Sequence, residues 1–112
     1  MQDMRLKKTQ YDFDGRSFEL CCNMNVLAEV QEKNGGEIAS LLNARSTLKS
    51  VMLFMAEMLN DYADSQGWPE RYTAKQVGRM ISPSELSAIT DTVMDLVISA
   101  IKSDPAEEDE KN

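Results

Sequence analysis

The chain of 112 residues contains no histidine, and its only two cysteines, Cys21 and Cys22, are neighbours. Without histidine, the sequence lacks the most common general base and the most common metal ligand of proteins. Neighbouring residues of a strand point to opposite faces of the sheet, so these cysteines are poorly placed to bond to each other. We therefore expect reduced cysteines, as in cytosolic proteins, with no disulfide, no metal site and no cofactor.

The sequence also lacks any apolar run of about 18 residues, the length that indicates a membrane-spanning helix, although apolar residues make up 42% of it. The basic residues Arg5, Lys7 and Lys8 are not followed by a hydrophobic stretch. A secretory signal needs an apolar segment after its basic start. We therefore expect a protein that stays in the cytoplasm and makes no membrane contact.

Positive charge is scarce, because the chain has 12 lysines and arginines but 19 aspartates and glutamates. Its net charge is therefore −7. Residues 104–112 hold five acids and one lysine, net −4, which leaves −3 for the rest of the chain. A surface that is negative on balance repels phosphate, so we do not expect nucleic acid as the main partner. We predict one domain over residues 1–103 and a disordered acidic tail over residues 104–112.

Residues 9–22 predict a β-hairpin around Asp14-Gly15. This dipeptide is typical of a type I′ turn, in which both central residues need a positive φ. A two-residue turn places Phe13 opposite Arg16 and Tyr11 opposite Phe18. Strand alternation then gathers one set of side chains on a single face. That set comprises Tyr11, Phe13, Phe18, Leu20 and Cys22.

Helical periodicity and capping signals predict four or five helices after the hairpin. The first predicted helix spans 24–33 and is capped by Asn23 or Asn25, and a short helix follows at 37–44. A long helix runs from Ser46 or Thr47 to Gln66. A short helix then runs from the Thr73 capping box to Ile81, and the last helix begins with Ser82-Pro83-Ser84-Glu85 and ends at Asp104-Pro105. The last helix carries a wide apolar stripe of Leu86, Ile89, Val93, Met94, Leu96, Val97, Ile98, Ala100 and Ile101. The expected fold class is mainly α with an N-terminal hairpin, a small α+β fold in which the hairpin packs on the helical bundle.

Candidate catalytic groups are confined to acid pairs one helical turn apart, Asp61 with Asp64 and Asp91 with Asp95. Solvated helix faces carry such pairs routinely, and no phosphate loop or nucleophile motif accompanies them. We therefore do not expect an enzyme. A helix-turn-helix over residues 73–101 would present acids to DNA, Glu85 among them, and would be repelled.

The long predicted helix carries the candidate protein-binding residues. Met52, Met55 and Met58 recur every third residue, and Phe54 and Leu59 lie beside them. Methionine is a common core filler, but it also lines adaptable binding surfaces. Because this helix is apolar in every direction around residues 51–56, we expect so small a chain to leave part of it open to another subunit or a client.

Three segments carry a resemblance to a known family. They are Tyr-Asp-Phe-Asp-Gly-Arg-Ser-Phe-Glu-Leu at 11–20, Asn-Val-Leu-Ala-Glu-Val-Gln-Glu-Lys-Asn-Gly-Gly at 25–36 and Ile-Ser-Pro-Ser-Glu-Leu at 81–86. Their order resembles that of the tail assembly chaperones of long-tailed bacteriophages and prophages. The resemblance implies a self-associating, non-enzymatic protein of the host cytoplasm that coats the tape measure protein. It also implies that the chaperone is shed as tail tube subunits polymerise and is absent from the finished tail.

The same residues leave an alternative open, which is a small helical regulator or antitoxin-like module that binds a protein partner. Neighbouring genes distinguish the two hypotheses. Tail tube and tape measure genes favour the chaperone, and a toxin or repressor gene favours the alternative.

Overall fold

A computed structural model of the chain describes residues 6–36 and 48–102. The predicted short helix at 37–44, the caps Ser46 and Thr47, and the predicted acidic tail lie outside the described residues. The described elements are a hairpin of β1 (Lys8–Phe13) and β2 (Arg16–Cys21), then α1 (Met24–Lys33), α2 (Leu48–Gln66), α3 (Ala74–Met80), a 3₁₀ turn (Pro83–Glu85) and α4 (Leu86–Lys102). The predicted fold class, a hairpin on a helical bundle, is confirmed.

The hairpin has the register that the two-residue turn predicts, with Phe13 paired to Arg16 and Tyr11 paired to Phe18. Asp14 and Gly15 have φ values of 55° and 74°, so both occupy the left-handed region that a type I′ turn requires. The predicted apolar face is turned inward. Phe13, Phe18, Leu20 and Cys22 are buried on it, while Tyr11 at its edge is half-buried.

An aromatic cluster joins the hairpin to the helices. The ring of Phe18 lies 5.9 Å from Tyr62 of α2, 5.5 Å from Trp68 and 6.0 Å from Tyr72, measured between centroids. The Tyr72 hydroxyl donates to the carboxylate of Asp14 over 3.0 Å. Edge-to-face aromatic contacts of this kind add to the free energy gained from burial, so the cluster fixes the hairpin against α2.

The capping residues fix where the helices begin. Asn23 is the cap of α1, since its side-chain oxygen accepts from the amide of Val26 at 3.0 Å, and its amide also donates to Asp61 at 2.8 Å. Thr73 and Gln76 form the predicted capping box of α3. Ser82 and Glu85 form the second predicted box, but it opens the 3₁₀ turn, and α4 itself begins at Leu86.

One hydrophobic core draws on the hairpin and on all four helices, with α2 at its centre. Helix α2 contacts β2, α1, α3 and α4, which lie around it. A helix that is apolar all round is stable in water only when it is covered in this way. The buried core comprises Phe13, Phe18, Leu20, Cys22, Val26, Val30, Val51, Phe54, Met55, Ala56, Met58, Leu59, Tyr72, Val77, Ile89, Val93, Leu96 and Val97.

Not every residue of the predicted apolar stripes faces this core. Met24, the first residue of α1, is 75% exposed. Leu86, Ile98 and Ile101 of α4 are 40%, 44% and 44% exposed. These apolar side chains lie on the surface of the molecule, where another protein could contact them. Separately, none of the described helices is long and apolar enough to cross a membrane.

Candidate protein-binding groove

Four of the five candidate binding residues of α2 lie inside the core. Phe54 is 2% exposed, Met55 0%, Met58 1% and Leu59 0%. The expectation that this part of α2 stays open is therefore wrong for these four side chains, because β2, α1, α3 and α4 cover them. They stabilise the fold and are not a surface. Met52 differs, since it is only partly buried and packs at the edge of the core.

A groove runs beside Met52 between the first half of α2 and α3. Its lining includes the apolar or small residues Met52, Leu53, Ala74 and Gly78, which we call its floor, and the polar residues Asn34 and Ser50. Its volume is about 760 Å³, and we refer to it as the α2–α3 groove. A smaller hollow of about 150 Å³ continues from it, because both share Met52 and Gly78. Aliphatic side chains from three elements line this extension, namely Leu48, Val51, Ile81, Pro83, Leu86 and Ile89.

The rim of the groove is basic, although the chain as a whole carries a charge of −7. Lys33, Lys49 and Lys75 line it, and no aspartate or glutamate within 6–36 or 48–102 does. The Nζ atom of Lys33 lies 2.6 Å from the carboxylate of Glu57, a residue that is only 4% exposed. Lys49 and Lys75 make no ion pair with any residue in 6–36 or 48–102. Two unpaired ammonium groups beside an apolar floor favour a ligand that is both apolar and acidic.

Gly78 determines the shape of the groove at its centre. A Cβ atom built on this glycine would lie 2.8 Å from the sulfur of Met52. Glycine inside a helix costs about 1 kcal/mol relative to alanine, and the backbone of Gly78 does not have the positive φ that would require it. The Met52 side chain occupies the space beside this bare backbone and would have to move if a larger residue replaced Gly78. Sequence analysis did not single out Gly78, and its only signal was a glycine in the interior of a short helix.

Three of the four acids considered as catalytic candidates are held in structural contacts, and the fourth, Asp91, is exposed on α4. Asp61 accepts a hydrogen bond from Asn23, and Asp64 forms an ion pair with Arg71. Asp95 lies 2.6 Å from Lys7, which ties α4 to the segment before β1. Within the described ranges, no group of three or more histidine, cysteine, aspartate or glutamate residues could hold a metal ion.

The two cysteines occupy different environments. Cys22 is 1% exposed, and burial, together with the neighbouring Cys21, raises the pKa of its thiol to about 12. The reactive form of cysteine is the thiolate, so a thiol with this pKa is inert at neutral pH. Cys22 therefore acts as a small apolar core residue.

Comparison with known proteins gave no relative: no family model, no curated protein and no solved structure matches this chain. A functional proposal therefore depends on the α2–α3 groove and on the resembling segments at 11–20, 25–36 and 81–86.

Proposed function

We propose that this chain is a non-enzymatic chaperone that holds another protein through the α2–α3 groove. The observation that carries the proposal is the groove itself, an apolar floor beside Lys49 and Lys75, which pair with no acid among the described residues, on a chain of net charge −7. Grooves between helices are common docking sites for amphipathic segments, which insert their apolar side chains between the helices.

The identity of the client comes from the resemblance to phage tail assembly chaperones. On that basis the client is the tape measure protein, held in the host cytoplasm until tail tube subunits polymerise, and the chaperone does not remain in the mature tail. The resembling segments at 11–20, 25–36 and 81–86 form the hairpin, most of α1 and the start of α4. They therefore cover the hairpin and α1, which pack against α2, and the turn that leads into α4.

The chemistry of the groove suits a client that varies along its length. Met52 is unbranched and flexible, so its side chain can adjust to different partners. Lysine has a compact charge on a flexible stem, and Lys49 and Lys75 can follow acids at several positions on a client. A holding chaperone needs this adaptability more than it needs tight shape complementarity.

Co-expression tests the proposal. The tape measure protein encoded in the same tail gene cluster is produced alone and together with this chain, and its soluble fraction is measured. We expect the soluble fraction to rise several-fold with the wild-type chain. The rise should be lost with Met52→Asp, which places a carboxylate on the groove floor. Met24→Gln changes an exposed apolar residue outside the groove and should behave as wild type.

An unchanged soluble fraction in the presence of the wild-type chain would refute the chaperone function. A toxin or repressor gene beside this one, with no tail genes nearby, would favour the antitoxin-like alternative. That alternative would use the same groove for a different partner.

A further inference from the structure

The small extension of the α2–α3 groove is a pocket between the start of α2 and the start of α4, and we refer to it as the anchor pocket. Val51 and Ile89 line it and are 3% and 4% exposed. Leu48 and Leu86 also line it and are 54% and 40% exposed. The anchor pocket is therefore closed by the core on one side and open to water on the other.

The interior of the anchor pocket is apolar. No charged side chain within 6–36 or 48–102 lines it. Ser82 does line it, but its hydroxyl oxygen accepts a hydrogen bond from the amide of Ser84 at 3.2 Å. An apolar cavity of about 150 Å³ stays dry and admits a molecule of the size of benzene. The anchor pocket has a volume of about 150 Å³. It therefore has room for one branched aliphatic or phenyl group, whereas an indole ring exceeds it.

The anchor pocket opens into the part of the groove that carries the lysines. Both cavities share Met52 and Gly78, so a ligand with its apolar end in the anchor pocket has its other end in the groove. Lys49 and Lys75 line the groove there and form no ion pair with a described residue. Charge complementarity therefore selects a ligand that carries an acid close to its apolar group.

We propose that the anchor pocket holds one leucine, isoleucine or phenylalanine side chain of the client, and that a neighbouring carboxylate of the client contacts Lys49 or Lys75. A few anchored side chains commonly supply most of the binding energy of a protein interface. The inference rests on the proposed function, because the anchor comes from the same client, and it adds which side chain the site selects.

Small acids test the anchor pocket without a client. Isocaproate carries the branched group of leucine, hydrocinnamate the ring of phenylalanine, indolepropionate the ring of tryptophan, and propionate only a short chain. Binding to the purified protein is measured by NMR titration of labelled methyl groups. Isocaproate and hydrocinnamate should bind about tenfold more tightly than propionate, because they bury more apolar surface. They should also bind more tightly than indolepropionate, and they should shift the methyl signals of Leu48, Leu86 and Ile89.

Two changes at Leu86 alter the size of the anchor pocket. Leu86→Ala enlarges it and should bind indolepropionate several-fold more tightly than the wild type does. Leu86→Trp fills it and should abolish the binding of all four acids. The same two changes at Ile98 are the matched controls, because Ile98 lies on the same helix, is 44% exposed and lines neither cavity. Both Ile98 variants should bind as the wild type does, and all four variants should keep its melting temperature within a few degrees.

The lysines are tested with a neutral ligand of the same shape. Hydrocinnamamide has the ring of hydrocinnamate but no charge. Wild-type protein should bind the acid several-fold more tightly than the amide, and the double variant Lys49→Gln with Lys75→Gln should bind the two equally. Equal binding of acid and amide by the wild type would show that the lysines select no charge, and it would overturn the inference.

The co-expression assay then identifies the source of the anchor. The soluble fraction of the client should fall with Leu86→Trp to the level seen without this chain, and it should stay at the wild-type level with Ile98→Trp. If Leu86→Trp protects the client as the wild type does, the client does not use the anchor pocket and the inference is wrong, even where the free acids bind.

Failure of the inference and failure of the proposed function give different results. If the wild-type chain leaves the client insoluble while the acids bind in the expected order, the chaperone function is refuted and the selectivity of the anchor pocket stands. If none of the acids shifts the signals of Leu48, Leu86 and Ile89, something else fills the anchor pocket, such as a side chain from residues 37–47. That result overturns the inference whatever the client assay shows.

Discussion

Gly15 and Gly78 show two different uses of glycine in this chain. Gly15 lies in the left-handed region, with a φ of 74° at the hairpin turn, and no atom of the described residues would lie within 4 Å of a Cβ atom there. Gly78 has ordinary helical backbone but would bring a Cβ atom to 2.8 Å from the sulfur of Met52. Gly15 is therefore needed for its backbone conformation, whereas Gly78 leaves space that the flexible Met52 side chain occupies.

The first prediction concerns Gly15. Replacement by valine should lower the free energy of unfolding by about 2 kcal/mol, because a β-branched residue is strained in the left-handed region. Asparagine tolerates this region, so Gly15→Asn should cost less than half as much. Urea unfolding of the three proteins measures both effects. Equal stability of the valine variant and the wild type would show that the turn does not need a positive φ at this position.

The two glycines also show what the sequence can and cannot predict at this scale. The Asp14-Gly15 turn was predictable because its requirement is local and involves two adjacent residues. The role of Gly78 was not, because it depends on Met52, which lies 26 positions earlier in another helix. No local pattern records that the Met52 side chain packs against the bare backbone of another helix.

At the scale of single elements, α2 shows how strongly burial can vary between neighbouring residues of one apolar run. Met52 and Met55 are one turn apart and chemically identical, yet Met55 is 0% exposed and Met52 lines the groove. The sequence correctly predicted where α2 ends, at Gln66 before Gly67. It could not predict which side of α2 stays open, because that side is set by where β2, α1, α3 and α4 pack.

The second prediction uses this pair of methionines. Met55→Asp should unfold the domain, since an unpaired carboxylate in the core costs several kcal/mol, a large part of the 5–15 kcal/mol that stabilises a typical domain. Met52→Asp should fold with a melting temperature close to that of the wild type, because its side chain reaches water and lysines border it. Circular dichroism on heating compares the two variants. A folded Met55→Asp, or an unfolded Met52→Asp, would contradict the assignment of core and groove.

The start of α4 shows that a capping signal does not fix the residue at which an α-helix begins. The Ser82-Pro83-Ser84-Glu85 signal was interpreted as the first turn of the last helix, and its capping box is indeed formed. The chain nevertheless adopts a 3₁₀ turn over Pro83–Glu85 before the α-helix begins at Leu86. Capping chemistry specifies that a helical segment begins, but the same bonds are compatible with a tighter first turn.

At the scale of the whole molecule, the aromatic cluster connects the hairpin to the helical part. Trp68 is the only tryptophan of the chain. Its ring lies 5.5 Å from Phe18 of β2 and 5.7 Å from Tyr62 of α2, and the guanidinium of Arg16 stands 4.3 Å above it. The fluorescence of Trp68 therefore reports on the junction between hairpin and helices, while far-ultraviolet circular dichroism reports mainly on the helices.

The last prediction follows from the shared core. Because buried residues of the hairpin and of all four helices belong to one cluster, we expect the chain to unfold as a single cooperative unit. Trp68 fluorescence and circular dichroism should then give the same midpoint and the same slope in urea. Trp68→Phe provides the control, since it removes the tryptophan signal and leaves the tyrosine background to be subtracted. If fluorescence changes at a lower urea concentration than circular dichroism, the hairpin detaches before the helices unfold. In that case α2 would lose the cover of β2 while still helical, and the buried methionines Met55 and Met58 would become accessible to a client after all.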